Sequence, residues 1–268
     1  MKIHIKYHFT DVVPDEFNYL ASIVTQVADF FFHDNLNFYI TNDINIDLST
    51  ENNIVFLTGC EKDSQLKNQN FKICFNNFYR EYNDQRYVAF PLGNNKFIND
   101  SLYLHEVVPF HEREYDIFFA GFIHPSRISF KEKIESLNCK KYLHYTHRNN
   151  LQNFNENLNP DQYLNILKNS KIVLAPKGAF HATSYRYFES LYFQNIVIFQ
   201  KNENEEILYR DKFKNQYCIQ DWSELSDDFI KQIILDFNEE SSKNNYKNHF
   251  CKQAIISYTI DKINQYVK

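Results

Sequence analysis

Ser170-Lys171-Ile172-Val173-Leu174-Ala175-Pro176-Lys177-Gly178-Ala179-Phe180-His181-Ala182-Thr183-Ser184-Tyr185-Arg186-Tyr187-Phe188-Glu189-Ser190-Leu191-Tyr192-Phe193-Gln194-Asn195-Ile196-Val197-Ile198-Phe199 is the stretch that decides the fold. Ile172–Ala175 and Ile196–Phe199 are short, continuous apolar runs, as expected of strands covered on both faces. Between them, Ser184–Gln194 predicts a helix, with Tyr185, Phe188 and Tyr192 recurring along one face. The intervening loop holds Pro176 and Gly178, one of only four glycines in the chain. Strand, loop, helix and strand make a parallel βαβ unit.

The same alternation extends in both directions. Upstream, Tyr115–Ala120 predicts an apolar strand ended by Gly121, followed by a helix over Ser126–Ser136 and a strand over Lys141–Tyr145. Asn159-Pro160 starts a helix that runs to Lys168, with Asn as cap and Pro at the first helical position. Downstream, Asp227–Asn238 and Tyr246–Val267 predict closing helices. In the first part, Lys2–Phe9, Asn37–Thr41, Asn53–Thr58, Phe71–Phe75 and Arg86–Phe90 read as strands, with a long helix over Pro14–His33. Pro91-Leu92-Gly93 breaks the pattern. The fold class expected is α/β with mainly parallel sheets in two lobes that meet near residues 100–113. Three segments follow: 1–112, 113–245, and a C-terminal helix, 246–268, packing back on the first lobe.

Composition narrows the function. Net charge is −5 over 268 residues, which argues against a broad nucleic-acid-binding face. The cysteines Cys60, Cys74, Cys139, Cys218 and Cys251 are odd in number and irregularly spaced, so neither a disulfide framework nor a zinc site is indicated. The N-terminus reads as a strand and not as a signal peptide. No uncharged apolar run reaches the roughly 18–20 residues a membrane helix needs. These features point to the cytoplasm, with any membrane contact peripheral and at the inner face.

The central βαβ unit carries the chemistry. Arg186 falls in the first turn of its helix, where a cation opposes the helix dipole. An anion there would remove the conflict. Free backbone N–H groups, the dipole and a guanidinium together suit a diphosphate. Glu189, one turn on, is placed to accept from ribose hydroxyls. Ligands of open α/β sheets bind beyond the C-terminal strand ends, where this loop lies. The alternative is an exposed Arg186–Glu189 ion pair worth a few tenths of a kcal/mol.

The pattern Ser170-Lys171, Pro176-x-Gly178, Ser184-x-Arg186-x-x-Glu189-Ser190-Leu191 and Ile196-Val197-Ile198 resembles the signature of exostosin-type glycosyltransferases. Upstream, Arg113-Glu114-Tyr115-Asp116-Ile117-Phe118-Phe119-Ala120-Gly121, with Arg127, is similar to the strand opening their donor lobe. The family's small residue after the glutamate is here Ser190, and its glycine before the last strand is replaced by Gln194-Asn195. The resemblance implies a GT-B fold, with two Rossmann-like lobes and a nucleotide-sugar donor on the second. It implies donor contacts from Arg186, Glu189, Gly178 and Ser184, close backbone approach at Gly121, and added charge from Arg127 and Lys177. The acceptor would be a glycan or glycolipid, as in bacterial capsule or lipopolysaccharide synthesis. No cofactor is implied, because the nucleotide-sugar is a substrate.

No Asp-x-Asp occurs, so the expected transferase is metal-independent and meets the leaving diphosphate with cations and a helix end. His105, His111, His144 and His147 form no metal-ligand spacing. An inverting enzyme needs a base to deprotonate the acceptor hydroxyl. Asp11, just after the first strand, is the first choice, ahead of Glu16 and Asp34. A non-catalytic sugar-nucleotide or glycan-binding subunit of the same fold is the competing reading. An α/β enzyme acting on another phosphorylated substrate is a third.

Overall fold

The computed structural model describes residues 4–9, 17–49, 52–58, 65–77, 84–91, 107–123, 125–146, 158–177, 185–200 and 215–267. Two parallel five-stranded sheets organise the chain. The first holds β1 (His4–His8), β2 (Asn37–Thr41), β3 (Asn53–Leu57), β4 (Ile73–Asn76) and β5 (Tyr87–Ala89), side by side in chain order. The helix α1 (Phe17–Phe30) follows β1 and buries Leu20, Ile23, Val24 and Val27.

The second sheet holds β6 (Tyr115–Phe122), β7 (Lys141–Thr146), β8 (Ser170–Ala175), β9 (Ile196–Gln200) and β10 (Gln216–Ile219). Its spatial order is β10-β9-β8-β6-β7, all parallel. The chain therefore moves one way from β6 to β7 and the other way from β8 onward. The strand order reverses between β6 and β8, and in doubly wound sheets ligands bind at that switch point. The helices are α2 (Ile128–Ser136), α3 (Pro160–Lys168), α4 (Tyr185–Tyr192), α5 (Asp227–Leu235), α6 (Glu239–His249) and α7 (Lys252–Val267).

On one face of this sheet, Ile117, Phe119, Ile172, Leu174, Ile196 and Ile198 pack with Phe130 and Ile134 of α2, Ile230 and Ile233 of α5, and Trp222. On the other face Phe118 meets Tyr163 of α3, ring centroids 5.6 Å apart. Covering on both faces explains the continuous apolar runs. The capping box of α3 is complete: Asn159 Oδ1 accepts from Gln162 N at 2.8 Å, and Gln162 Oε1 accepts from Asn159 N at 3.3 Å.

Contacts divide the chain into two units with boundaries after Asn99 and after Tyr246. The first unit takes in α7, whose Tyr258 OH donates to Ala89 O at 3.1 Å and whose Tyr266 OH donates to Gln85 O at 2.5 Å. The turn Phe110–Glu112 lies in the second unit, earlier than the sequence boundary at 112. Phe110 stacks on Phe237 at 3.9 Å, and its N–H donates to Glu239 at 3.1 Å. Arg113 is 3% exposed and ties that unit together. It donates to Val108 O, Ser170 O, Gln194 O and Phe193 O at 2.8–3.3 Å. Burial lowers its pKa to about 10, against the raising effect of Glu239.

Other differences from the sequence reading are local. The predicted Tyr246–Val267 helix is two helices, α6 and α7, broken at Phe250-Cys251. Ser126–Ser136 splits into a 3-10 turn over Pro125–Arg127 and then α2. β10 joins the sheet beside β9 and was not anticipated.

Candidate functional site

Gly121 does not end β6. The strand continues to Phe122 because β7 runs alongside it to Thr146, with Gly121 opposite Tyr145. Glycine matters here through space. A Cβ at Gly121 would lie 2.6 Å from Arg186 Nη2, too close for any real contact.

Arg186, second residue of α4, reaches from the end of β8 across the switch point to β6. Its Nη2 donates to Ala120 O, and its guanidinium lies over the Phe119 ring, 4.9 Å from the centroid. Its Nε is buried and has no hydrogen-bond partner. Arg127 stands on the neighbouring turn. It donates to Phe122 O at 2.7 Å and to Lys177 O at 2.8 Å, with a longer contact to Pro176 O at 3.4 Å. Arg127 thus clamps the residues that follow β6 to those that follow β8. Burial, and then the charge of Arg186, lower its pKa to about 10. Two guanidinium groups repel one another at the switch point, and an anion bound there would relieve the repulsion.

Lys177 is exposed, and its carbonyl is held by Arg127. Glu189 is not on an exposed face. It is 2% exposed, and its Oε2 accepts from Tyr163 OH at 2.5 Å. Tyr163 sits between the two chemistries: burial and the Glu189 carboxylate push its pKa well up, while Arg186 pulls it down. The structure therefore assembles Gly121, Arg127, Lys177, Arg186 and Glu189 around the C-terminal ends of β6 and β8. It adds Tyr163 and Phe119, which sequence reasoning passed over. The signal for Tyr163 was a tyrosine adjoining the buried stripe Leu164 and Leu167, where its hydroxyl must find a partner.

Asp11, Gly178 and Ser184 lie outside the described residues, as do Glu16, His105 and His147. Asp34 follows α1 and is exposed, and His111 is exposed in the Phe110–Glu112 turn. Among the described residues, no group of three or more His, Cys, Asp or Glu could hold a metal ion, and no helix is long and apolar enough to cross a membrane.

No protein-family model matches the chain, and no curated protein matches it by sequence. Among solved structures, the chain is similar to the crystal structure of a glycosyltransferase from Rickettsia africae ESF-5. The TM-score is 0.55 at 10% identity, and the match covers 100% of both chains. With its two parallel sheets, the fold class is α/β of the two-lobed GT-B kind.

Proposed function

We propose that this chain is a glycosyltransferase that binds a nucleotide-sugar at the switch point of its second sheet and transfers the sugar to a glycan or glycolipid acceptor. The observation that carries the reading is the pair Arg186 and Arg127, gathered where the strand order reverses. Arg186 has donor capacity left for phosphate oxygens, whereas Arg127 supports the site mainly by fixing its backbone. Tyr163 holds Glu189 in place beside Arg186, and Glu189 is our candidate for the ribose. The exostosin-like motif and the similarity in fold to the Rickettsia africae glycosyltransferase support the same class. We place the reaction in the cytoplasm, in the synthesis of a bacterial surface glycan such as capsule or lipopolysaccharide.

Isothermal titration with uridine and UDP, and with the other common nucleoside and nucleoside-diphosphate pairs, tests the site. A charge-assisted hydrogen bond contributes about 1.5–3 kcal/mol. Arg186→Ala should therefore weaken the diphosphate about 10–150-fold, since each 1.4 kcal/mol is tenfold, and leave the nucleoside nearly unchanged. Wild-type affinity of Arg186→Ala for the diphosphate would refute the assignment.

The charge of the leaving diphosphate is met by guanidinium groups, so we propose that turnover needs no metal. Nucleotide release from the donor should persist in excess EDTA. Loss in EDTA with recovery on adding Mn²⁺ would overturn this part of the reading.

A further inference from the structure

The first sheet carries a second constellation at the same kind of edge. His8 is the last residue of β1 and pairs in register with Thr41, the last residue of β2. Asp43 lies just beyond, and its Oδ2 is 3.0 Å from His8 Nε2. The carboxylate is held from several sides. Its Oδ1 accepts from Asn45 N at 2.8 Å and Asn45 Nδ2 at 3.1 Å, and its own N–H donates to Thr41 Oγ1 at 2.9 Å. That leaves Oδ2 for the imidazole. The Asp43 side chain is 14% exposed, while that of His8 is 51% exposed. Lys6, two residues back on β1, is engaged by Tyr39 OH at 3.1 Å.

The backbone hydrogen bond from Asn45, assisted by His8, holds the Asp43 carboxyl below the usual carboxylate range, so it is ionised at neutral pH. An ionised carboxylate only accepts, which puts the proton of a neutral His8 on Nε2 and leaves the Nδ1 lone pair for a ligand. A fixed carboxylate orienting an exposed imidazole is the arrangement of a general base. It stands at the C-terminal end of parallel strands, where α/β sheets present catalytic groups. A plain surface ion pair would need none of the bonds that fix Asp43.

We propose that His8 is the general base that takes the proton from the acceptor hydroxyl, and that Asp43 is its positioning residue. The proposal rests on the transferase reading. In the step, the acceptor O–H bond breaks and its proton passes to His8 Nδ1. The acceptor oxygen forms the new bond to the anomeric carbon. The bond from that carbon to the diphosphate oxygen breaks, and its electron pair leaves with the nucleoside diphosphate. The imidazolium, held by Asp43, then returns its proton to solvent.

The test uses the full chain with common UDP-, GDP-, dTDP- and CMP-sugars, water serving as acceptor and nucleotide release as the signal. His8→Ala should lower kcat about 100-fold or more with little change in donor KM, since a positioned base contributes about 10²–10⁴-fold. Added imidazole should restore part of the rate, which a merely structural histidine would not allow. Asp43→Asn should lower kcat less than His8→Ala does, again with donor KM held. Wild-type turnover in His8→Ala would overturn the proposal and leave the transferase reading standing. So would lost turnover that imidazole does not restore in a protein of unchanged melting temperature. If the wild type neither binds nor turns over any of these donors, the transferase reading fails and takes this inference with it.

Discussion

Arg186 shows how one side chain joins two strands that are far apart in sequence. Its guanidinium is seated by Ala120 O, the Phe119 ring and the missing side chain of Gly121. The seat exists only because residue 121 has no Cβ. Gly121→Ala would put a methyl group 2.6 Å from Arg186 Nη2. The clash falls on the far end of a flexible side chain, so the guanidinium moves and the fold remains. We expect diphosphate affinity to fall at least about tenfold, the loss of roughly one good hydrogen bond to a charged group, with only a small drop in melting temperature. Titration calorimetry beside a thermal melt checks this, and unchanged affinity would show that the seated position is not the binding one. Glu189 teaches a related lesson. Its spacing from Arg186 suggested a polar face, but the deciding contact is Tyr163, 26 residues earlier in the chain. No local periodicity announces a partner at that separation.

Among elements, the end of α4 is the most instructive. Gln194 N donates to Leu191 O at 3.1 Å and Asn195 N to Ser190 O at 2.9 Å, the paired bonds of a Schellman cap. That cap demands a left-handed residue, and Gln194 supplies it at φ 58°. This is the place where the exostosin-like pattern has glycine, so the substitution leaves the geometry intact and adds conformational cost. Gln194→Gly should stabilise the protein by about 0.5–1 kcal/mol, read as a rise of about 1–4 °C in melting temperature. A lower melting temperature would mean that the glutamine side chain contributes more than its backbone costs. Signals confined to one element were legible in the sequence. Asn159-Pro160 opens α3 where predicted, and the apolar runs of β6, β8 and β9 are strands. β10 was not legible, because only Ile219 of its four residues is buried and the polar remainder mimics a loop. α6 was misjudged at its start because it is polar nearly all round, with only Ser242 buried.

At the scale of the whole molecule, the high aromatic content sets a limit on alkaline stability. Burial, with Cys74 adding to it, pushes the Tyr87 phenol up to about 12. Burial, with Glu135 adding to it, does the same for Tyr145. In the unfolded chain both ionise near pH 10. Between about pH 10 and 12 the unfolded state has therefore lost protons that the folded state keeps, and stability falls as pH rises. Below pH 10 the contribution is fully present. Thermal melts from pH 8 to 11.5 should show a steady decline beginning near pH 10, shallower in Tyr145→Phe. A flat profile would show that these phenols ionise alike in both states.

The first unit is built from two stretches of chain separated by nearly all of the second. Its helix α1 packs against α7, which buries Ile255, Ile256, Thr259 and Ile263. On a ribosome, the strands of the first sheet emerge first, yet the helix that covers α1 is made only after the whole second unit has appeared. The half of the protein that is synthesised first is thus the half that finishes folding last. Until then the apolar stripe of α1, Leu20, Ile23, Val24 and Val27, lacks its covering helix and is a surface that a chaperone can hold.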